Sequence, residues 1–162
     1  MEKLAHLKEY RYLCRKLKKM KVTAKILNDK FQECRNVYFK NMAGMLPIPT
    51  LSVMHSYRKS GEFLFVPVGK RARLKVREIR ISDYFDFTEE QLRNILVHEM
   101  IHYYIAYNHI EDDAAHGNEF TKIASKLNAE YGLNITEKID ASELTRSEDA
   151  PNLSWWFVKI FG

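Results

Sequence analysis

Cysteine is scarce in this chain: two residues among 162, Cys14 and Cys34, in no paired metal-binding spacing. That excludes a zinc ribbon and a disulfide framework, and both thiols are read as free and reduced. No apolar run approaches the length needed to cross a bilayer. The opening Met1-Glu2-Lys3-Leu4-Ala5-His6 lacks the apolar run of a signal peptide, so a soluble cytoplasmic protein is expected, with no membrane partner. Nothing repeats, and no low-complexity linker divides the chain, which rules out solenoids and points to one globular unit. At this length a domain can bury a sizeable core without disulfide staples.

Charge is present in abundance but unevenly placed. Residues 1–82 carry 20 basic and 6 acidic side chains, a balance of +14, and residues 83–162 carry 6 and 15, a balance of −9, within a net +5. The basic first half is a candidate surface for nucleic-acid phosphate, with solvated helix faces as the alternative.

Between Glu2 and about Lys21 the residues Leu4, Leu7, Tyr10, Cys14, Leu17 and Met20 recur every three or four positions among lysines and arginines. This predicts a basic amphipathic helical extension over residues 1–21, ahead of a globular unit over 22–162. Thr23 suits the N-cap of a second helix with Ile26, Leu27, Phe31, Cys34 and Tyr38 inward, ending before Gly44. Met45-Leu46-Pro47-Ile48-Pro49 cannot remain helical, because each proline lacks a donor and disfavours helical geometry before it. Thr50 to Tyr57 then alternates, Ser60-Gly61 is a turn, and Glu62 to Val66 is apolar, which together predict a hairpin. After the basic loop Lys70-Arg71-Ala72-Arg73, the alternation of Glu78-Ile79-Arg80-Ile81-Ser82 predicts a third, half-buried strand. Leu153 to Ile160 reads as a terminal strand.

Thr88 and Gln91 have the spacing of a capping box, and Glu89 and Glu90 suit the positive end of the helix they open. From Leu92 to Tyr107 nearly every side chain is apolar or aromatic apart from Arg93, Asn94, His98, Glu99 and His102. Such a helix is buried on most sides, and a buried imidazole or carboxylate needs a partner. In His98-Glu99-Met100-Ile101-His102 the two histidines, four apart, share one helix face and can grip one zinc ion, with Glu99 between them as candidate general base. The structural alternative is a pair of core histidines satisfied by hydrogen bonds. Asn108 to Ala115 is a polar loop, and Gly117 or Asn118 begins a helix with Phe120, Ile123, Ala124, Leu127 and Tyr131 inward, ending at Gly132. A third ligand has three candidates. Continued helix would carry His109 about 10 Å along the axis from His102, too far to share one ion. His116 and Glu119, at the start of the next helix, stay open.

The two segments His98-Glu99-Met100-Ile101-His102 and His116-Gly117-Asn118-Glu119-Phe120 together resemble the SprT-like zinc metalloprotease family, the Spartan/SprT type. Leu27-Asn28-Asp29-Lys30-Phe31, Tyr38-Phe39 and Leu46-Pro47 are similar to that family's opening helix and its Leu-Pro entry into the sheet. The resemblance covers roughly Val22 to Leu133. It departs from many bacterial members in having no cysteine-rich zinc ribbon. It implies an α+β, zincin-like fold: a small, mostly antiparallel sheet packed on the HExxH helix, with flanking helices. It also implies one Zn2+ held by His98, His102 and His116, and hydrolysis of peptide bonds in protein substrates, nucleic-acid-associated proteins among them. Glu99 would take a proton from water and pass it to the leaving amine.

Further roles follow as candidates. Tyr103, Tyr104, Tyr107 or Tyr131 could stabilise the oxyanion. Asp112, Asp113 or Glu119 could orient the imidazoles. A sheet edge, Glu62 to Val66 or Glu78 to Ser82, could hold an extended substrate by strand addition. The competing function is a catalytically idle, zinc-stabilised module that binds nucleic acid or protein.

Overall fold

A computed structural model describes residues 18–42, 46–68, 73–139 and 141–150. Within them lie three helices, α1 (Ala24–Tyr38), α2 (Glu89–Tyr107) and α3 (Asn118–Tyr131). Six strands accompany them: β1 (Met20–Lys21), β2 (Thr50–Met54), β3 (Gly61–Val68), β4 (Arg73–Ser82), β5 (Phe85–Phe87) and β6 (Thr145–Arg146). They form two small sheets of order β2-β4-β3 and β1-β5-β6, so the fold is mixed α and β. No helix among the described residues is long and apolar enough to cross a membrane.

The larger sheet corrects the predicted hairpin. The strands at 50–54 and 61–68 do not pair with each other, because β4 lies between them, parallel to β2 and antiparallel to β3. The reason is burial: Ile79 and Ile81 are fully enclosed, and a central strand is the place that encloses them. The 55–60 segment therefore crosses the end of β4, pinned there by Ser82. The Ser82 hydroxyl donates to the Ser56 carbonyl at 2.6 Å, and the Ser82 N–H donates to the Ser60 carbonyl at 2.9 Å. Strand β3 is left as an outer strand, and its register shift at Val66/Pro67 accommodates the missing donor of proline. Three of the four strand pairings are antiparallel, so the sheets are mostly antiparallel, but the larger one is mixed.

The second sheet also amends the predicted first helix. Met20 and Lys21 pair antiparallel with Phe87 and Asp86 of β5, so they are strand and not the end of a helix. The remainder of that extension up to residue 17, and the expected strand at 153–160, lie outside the described residues.

The helices follow the sequence closely because their signals are local. Thr23 caps α1, accepting from Ile26 N–H, and Leu27, Phe31 and Cys34 turn inward. The capping box of α2 is complete: Thr88 Oγ1 accepts from Gln91 N–H at 3.1 Å, and Gln91 Oε1 accepts from Thr88 N–H at 2.9 Å. The helix then buries Leu92, Leu96, Val97, Met100 and Ile101 completely, each stabilising the fold by roughly 1.5–3 kcal/mol. Helix α3 packs Phe120, Ile123, Ala124 and Leu127 inward and stops at Gly132, whose φ of 64° is left-handed. Helix α2 is thus the shared spine, touched by both other helices and by β3, β4 and β5.

Candidate metal centre

One helical turn separates His98 from His102, and α3 delivers His116 from the residue before its Gly117 N-cap. The three Nε2 atoms converge, His98 to His102 at 3.2 Å, His102 to His116 at 3.1 Å and His98 to His116 at 3.0 Å. Tetrahedral zinc bonds to imidazole of about 2.0–2.1 Å would set ring nitrogens about 3.3 Å apart, close to this spacing. The tautomer of His98 agrees, since its Nδ1 donates to the Thr136 carbonyl at 2.8 Å and so leaves Nε2 as a lone pair. Burial holds His98 and His102 neutral, lowering them to about 4 and about 3. Three converging ring nitrogens, two of them on rings that burial keeps neutral, fit a cation, and these residues form a group able to hold a metal ion.

Phe120 is the floor of the cluster. Its ring centroid lies 4.7 Å from His102, which stacks on it, 4.9 Å from His98 and 4.7 Å from His116. Asp112 and Asp113 make hydrogen bonds to the start of α3, which they cap. Asp112 accepts from Glu119 N–H at 3.2 Å and Phe120 N–H at 2.9 Å, and Asp113 accepts from Asn118 N–H at 3.1 Å. Any side chain at Gly117 would overlap both carboxylates, which is why glycine follows His116. Glu119 stands outside the cluster with Lys122 at 3.5 Å, and His109 lies beyond the end of α2 with φ of 53°.

Glu99 is 4 % exposed between the two α2 histidines. Burial pushes its carboxyl up to about 8, and a hydrogen bond from the Phe63 backbone N–H works against that rise. Gly61 presses on it: a Cβ there would stand 2.9 Å from Glu99 Oε1. A cleft of about 570 Å³ opens over these groups, with the three histidines and Glu99 in its lining and Gly61 to Phe65 along one wall. Among the described residues, the sheet edge that borders it is β3. Strand β4, the other candidate for strand addition, is central and already paired on both sides.

Among the described residues, no tyrosine lines this cleft. The Tyr103 hydroxyl donates to the Pro47 carbonyl at 3.0 Å, Tyr104 packs on Phe39, Tyr107 lies under the Arg77 guanidinium, and Tyr131 meets Tyr38 edge-on. His55 pairs with Asp83 and is not among the residues lining the cleft. Several cations of the basic half are neutralised internally, Lys21 by Asp149, Lys30 by Glu33 and Glu89, and Lys59 by Glu62. The described residues give nucleic acid no support as a partner.

Three features here have no side-chain signature that could reveal them in advance: the Thr136 carbonyl, the Phe63 N–H and the close approach of Gly61. Phe120 was legible as an inward helical residue but not as a support common to three rings. No curated protein matches the chain. The model of the SprT-like family matches residues 27–139, a span that contains all three histidines and Glu99.

Proposed function

Because the chain belongs to the SprT-like family, whose domains are of zinc metalloprotease type, we propose that it is a zinc-dependent endopeptidase with a zincin-like arrangement of helix and edge strand. The observation that carries this reading is the convergence of three imidazole nitrogens beside a buried carboxyl, on the floor of a cleft bordered by β3. His98, His102 and His116 are the metal ligands in this reading and Glu99 the general base. A bound zinc ion supplies Lewis acidity, polarising a carbonyl and acidifying water.

The protein's own groups do the rest. An extended peptide adds to β3 through backbone hydrogen bonds, which brings its scissile carbonyl over the histidines. Glu99 removes a proton from water as the water oxygen bonds to the carbonyl carbon. The same carboxyl then gives that proton to the amine nitrogen as the carbon–nitrogen bond breaks, returning Glu99 to its starting state. Phe63 N–H fixes the carboxyl, and the Thr136 carbonyl fixes the His98 ring. Since no described tyrosine lines the cleft, no side chain is assigned to the oxyanion.

The purified chain should hold about one zinc, cleave an unfolded protein substrate, lose that cleavage to a chelator and regain it with zinc. Metal-replete protein that leaves unfolded substrates intact would contradict the reading.

A further inference from the structure

The last turn of α3 contains an asparagine, a weak helix former whose short amide competes for backbone hydrogen bonds. Asn128 directs that amide at a single residue. Its Nδ2 donates to the Ile135 carbonyl at 2.9 Å, and its Oδ1 accepts from the Ile135 N–H at 2.9 Å. Its own carbonyl accepts from the Gly132 N–H at 2.9 Å, where the left-handed φ of 64° turns the chain back. A donor and an acceptor side by side are what the asparagine side chain carries; aspartate keeps only the acceptor and alanine has neither.

Residues 133–136 form no strand, so the Asn128 amide takes the place that a strand neighbour would fill. Leu133 and Ile135 are buried while Asn134 and Thr136 are exposed, the alternation of an extended segment. The next carbonyl along is that of Thr136, which accepts from His98 Nδ1 at 2.8 Å. A pocket of about 380 Å³ opens beside these groups, lined by His98, Asn134, Ile135 and Thr136, so close packing does not by itself fix that carbonyl. Asn128, Ile135, Thr136 and His98 thus form one path from the end of α3 to the cluster. The start of the same helix delivers His116.

We propose that Asn128 is a positioning residue of the metal centre, holding the Thr136 carbonyl where it fixes the tautomer and orientation of the His98 ring. The role rests on reading His98 as a zinc ligand. Because the hydrogen bond from His98 to Thr136 does not itself need a metal, two measurements on the full chain separate the failure of one from that of the other.

The first is magnetic resonance of the ring nitrogens in the metal-free chain, which reads the His98 tautomer. The parent should hold the proton on Nδ1, and Asn128→Ala should raise the share with the proton on Nε2 several-fold. Leu27→Val, a core substitution in α1 away from this path, should leave the parental tautomer. The second is zinc affinity by competition with a chromophoric chelator. Asn128→Ala should weaken it about tenfold, Asn128→Asp several-fold, and Leu27→Val not at all. Parental affinity or an unchanged tautomer in Asn128→Ala overturns the proposal, as does an equal loss in Leu27→Val; should Asn128→Ala not fold, Asn128→Asp decides by the same criteria. A parent that binds zinc and cleaves, with Asn128→Ala unaltered, overturns the Asn128 role and leaves the peptidase reading standing. A tautomer shift on Asn128→Ala in a chain whose parent binds no zinc upholds the path to His98 and overturns the metal reading.

Discussion

Gly61 of the edge strand and Glu99 of the spine helix are packed so closely that a Cβ at 61 would lie 2.9 Å from the carboxylate oxygen and 3.1 Å from Glu99 Cγ. The same Cβ would meet Ile95 Cγ2 at 2.9 Å, so the helix offers no room to retreat. Gly61→Ala should therefore displace the carboxyl without touching a metal ligand. The expected result is kcat lowered about tenfold or more with zinc content unchanged, and stability lower by about 1–2 kcal/mol. Steady-state kinetics beside metal analysis reads both, and unaltered kcat would show that this contact does not position Glu99.

Gly117 is constrained by carboxylates instead of by a catalytic group. Gly117→Ala would force Asp112 and Asp113 off the N–H groups of α3 that they cap. Loss of such caps costs about 1 kcal/mol each. Since His116 immediately precedes this turn, zinc affinity should also fall, by about tenfold. A zinc titration with the chain folded tests this, and wild-type affinity would contradict it.

The third ligand is decided by a pair of variants. His116→Ala should lower zinc affinity by at least about a hundredfold, because two imidazoles remain of three. Glu119→Ala should leave zinc in place, as its side chain points to Lys122. Metal loss on Glu119→Ala alone would overturn the assignment.

Cys34 is enclosed between α1 and the core, 1 % exposed, and burial pushes its thiol from the ordinary 9.0 up to about 12. In the native protein at pH 8.5 it should resist alkylation that modifies it fully in denaturant, as peptide mapping would show. The sign of its effect on stability follows. The unfolded thiol ionises near 9.0 and the folded one near 12, so between these values the folded state binds the extra proton. This contribution is intact below about pH 9 and is lost as pH rises toward 12. Rapid native alkylation would contradict the burial.

What could be read ahead of the structure was what is written locally. Thr23, Thr88 with Gln91, and Gly132 mark helix ends within four residues of themselves, and the described helices obey them. Strand neighbours are not local. The alternation of Glu78 to Ser82 announces a half-buried strand, but nothing in it says that β2 will lie parallel on one side and β3 antiparallel on the other. The two-residue strands β1 and β6 carry no periodicity at all, and only β5 defines them. At the site, His98 and His102 were paired by helix geometry, whereas His116 needed a family resemblance to prefer it over Glu119. The four candidate tyrosines are not among the residues lining the cleft; helical spacing says which face a side chain occupies only when the packing of that helix is known. The Tyr103 hydroxyl is bound to the Pro47 carbonyl, and Tyr103 is not among the residues lining the cleft.

The most direct test of the metallopeptidase account is Glu99→Gln in the zinc-loaded protein. The substitution removes the proton acceptor and preserves the side chain's size, leaving all three imidazoles in place. The account predicts about one zinc per chain, as in the parent, with cleavage of an unfolded substrate reduced by at least about a hundredfold. Cleavage at the parental rate would contradict it.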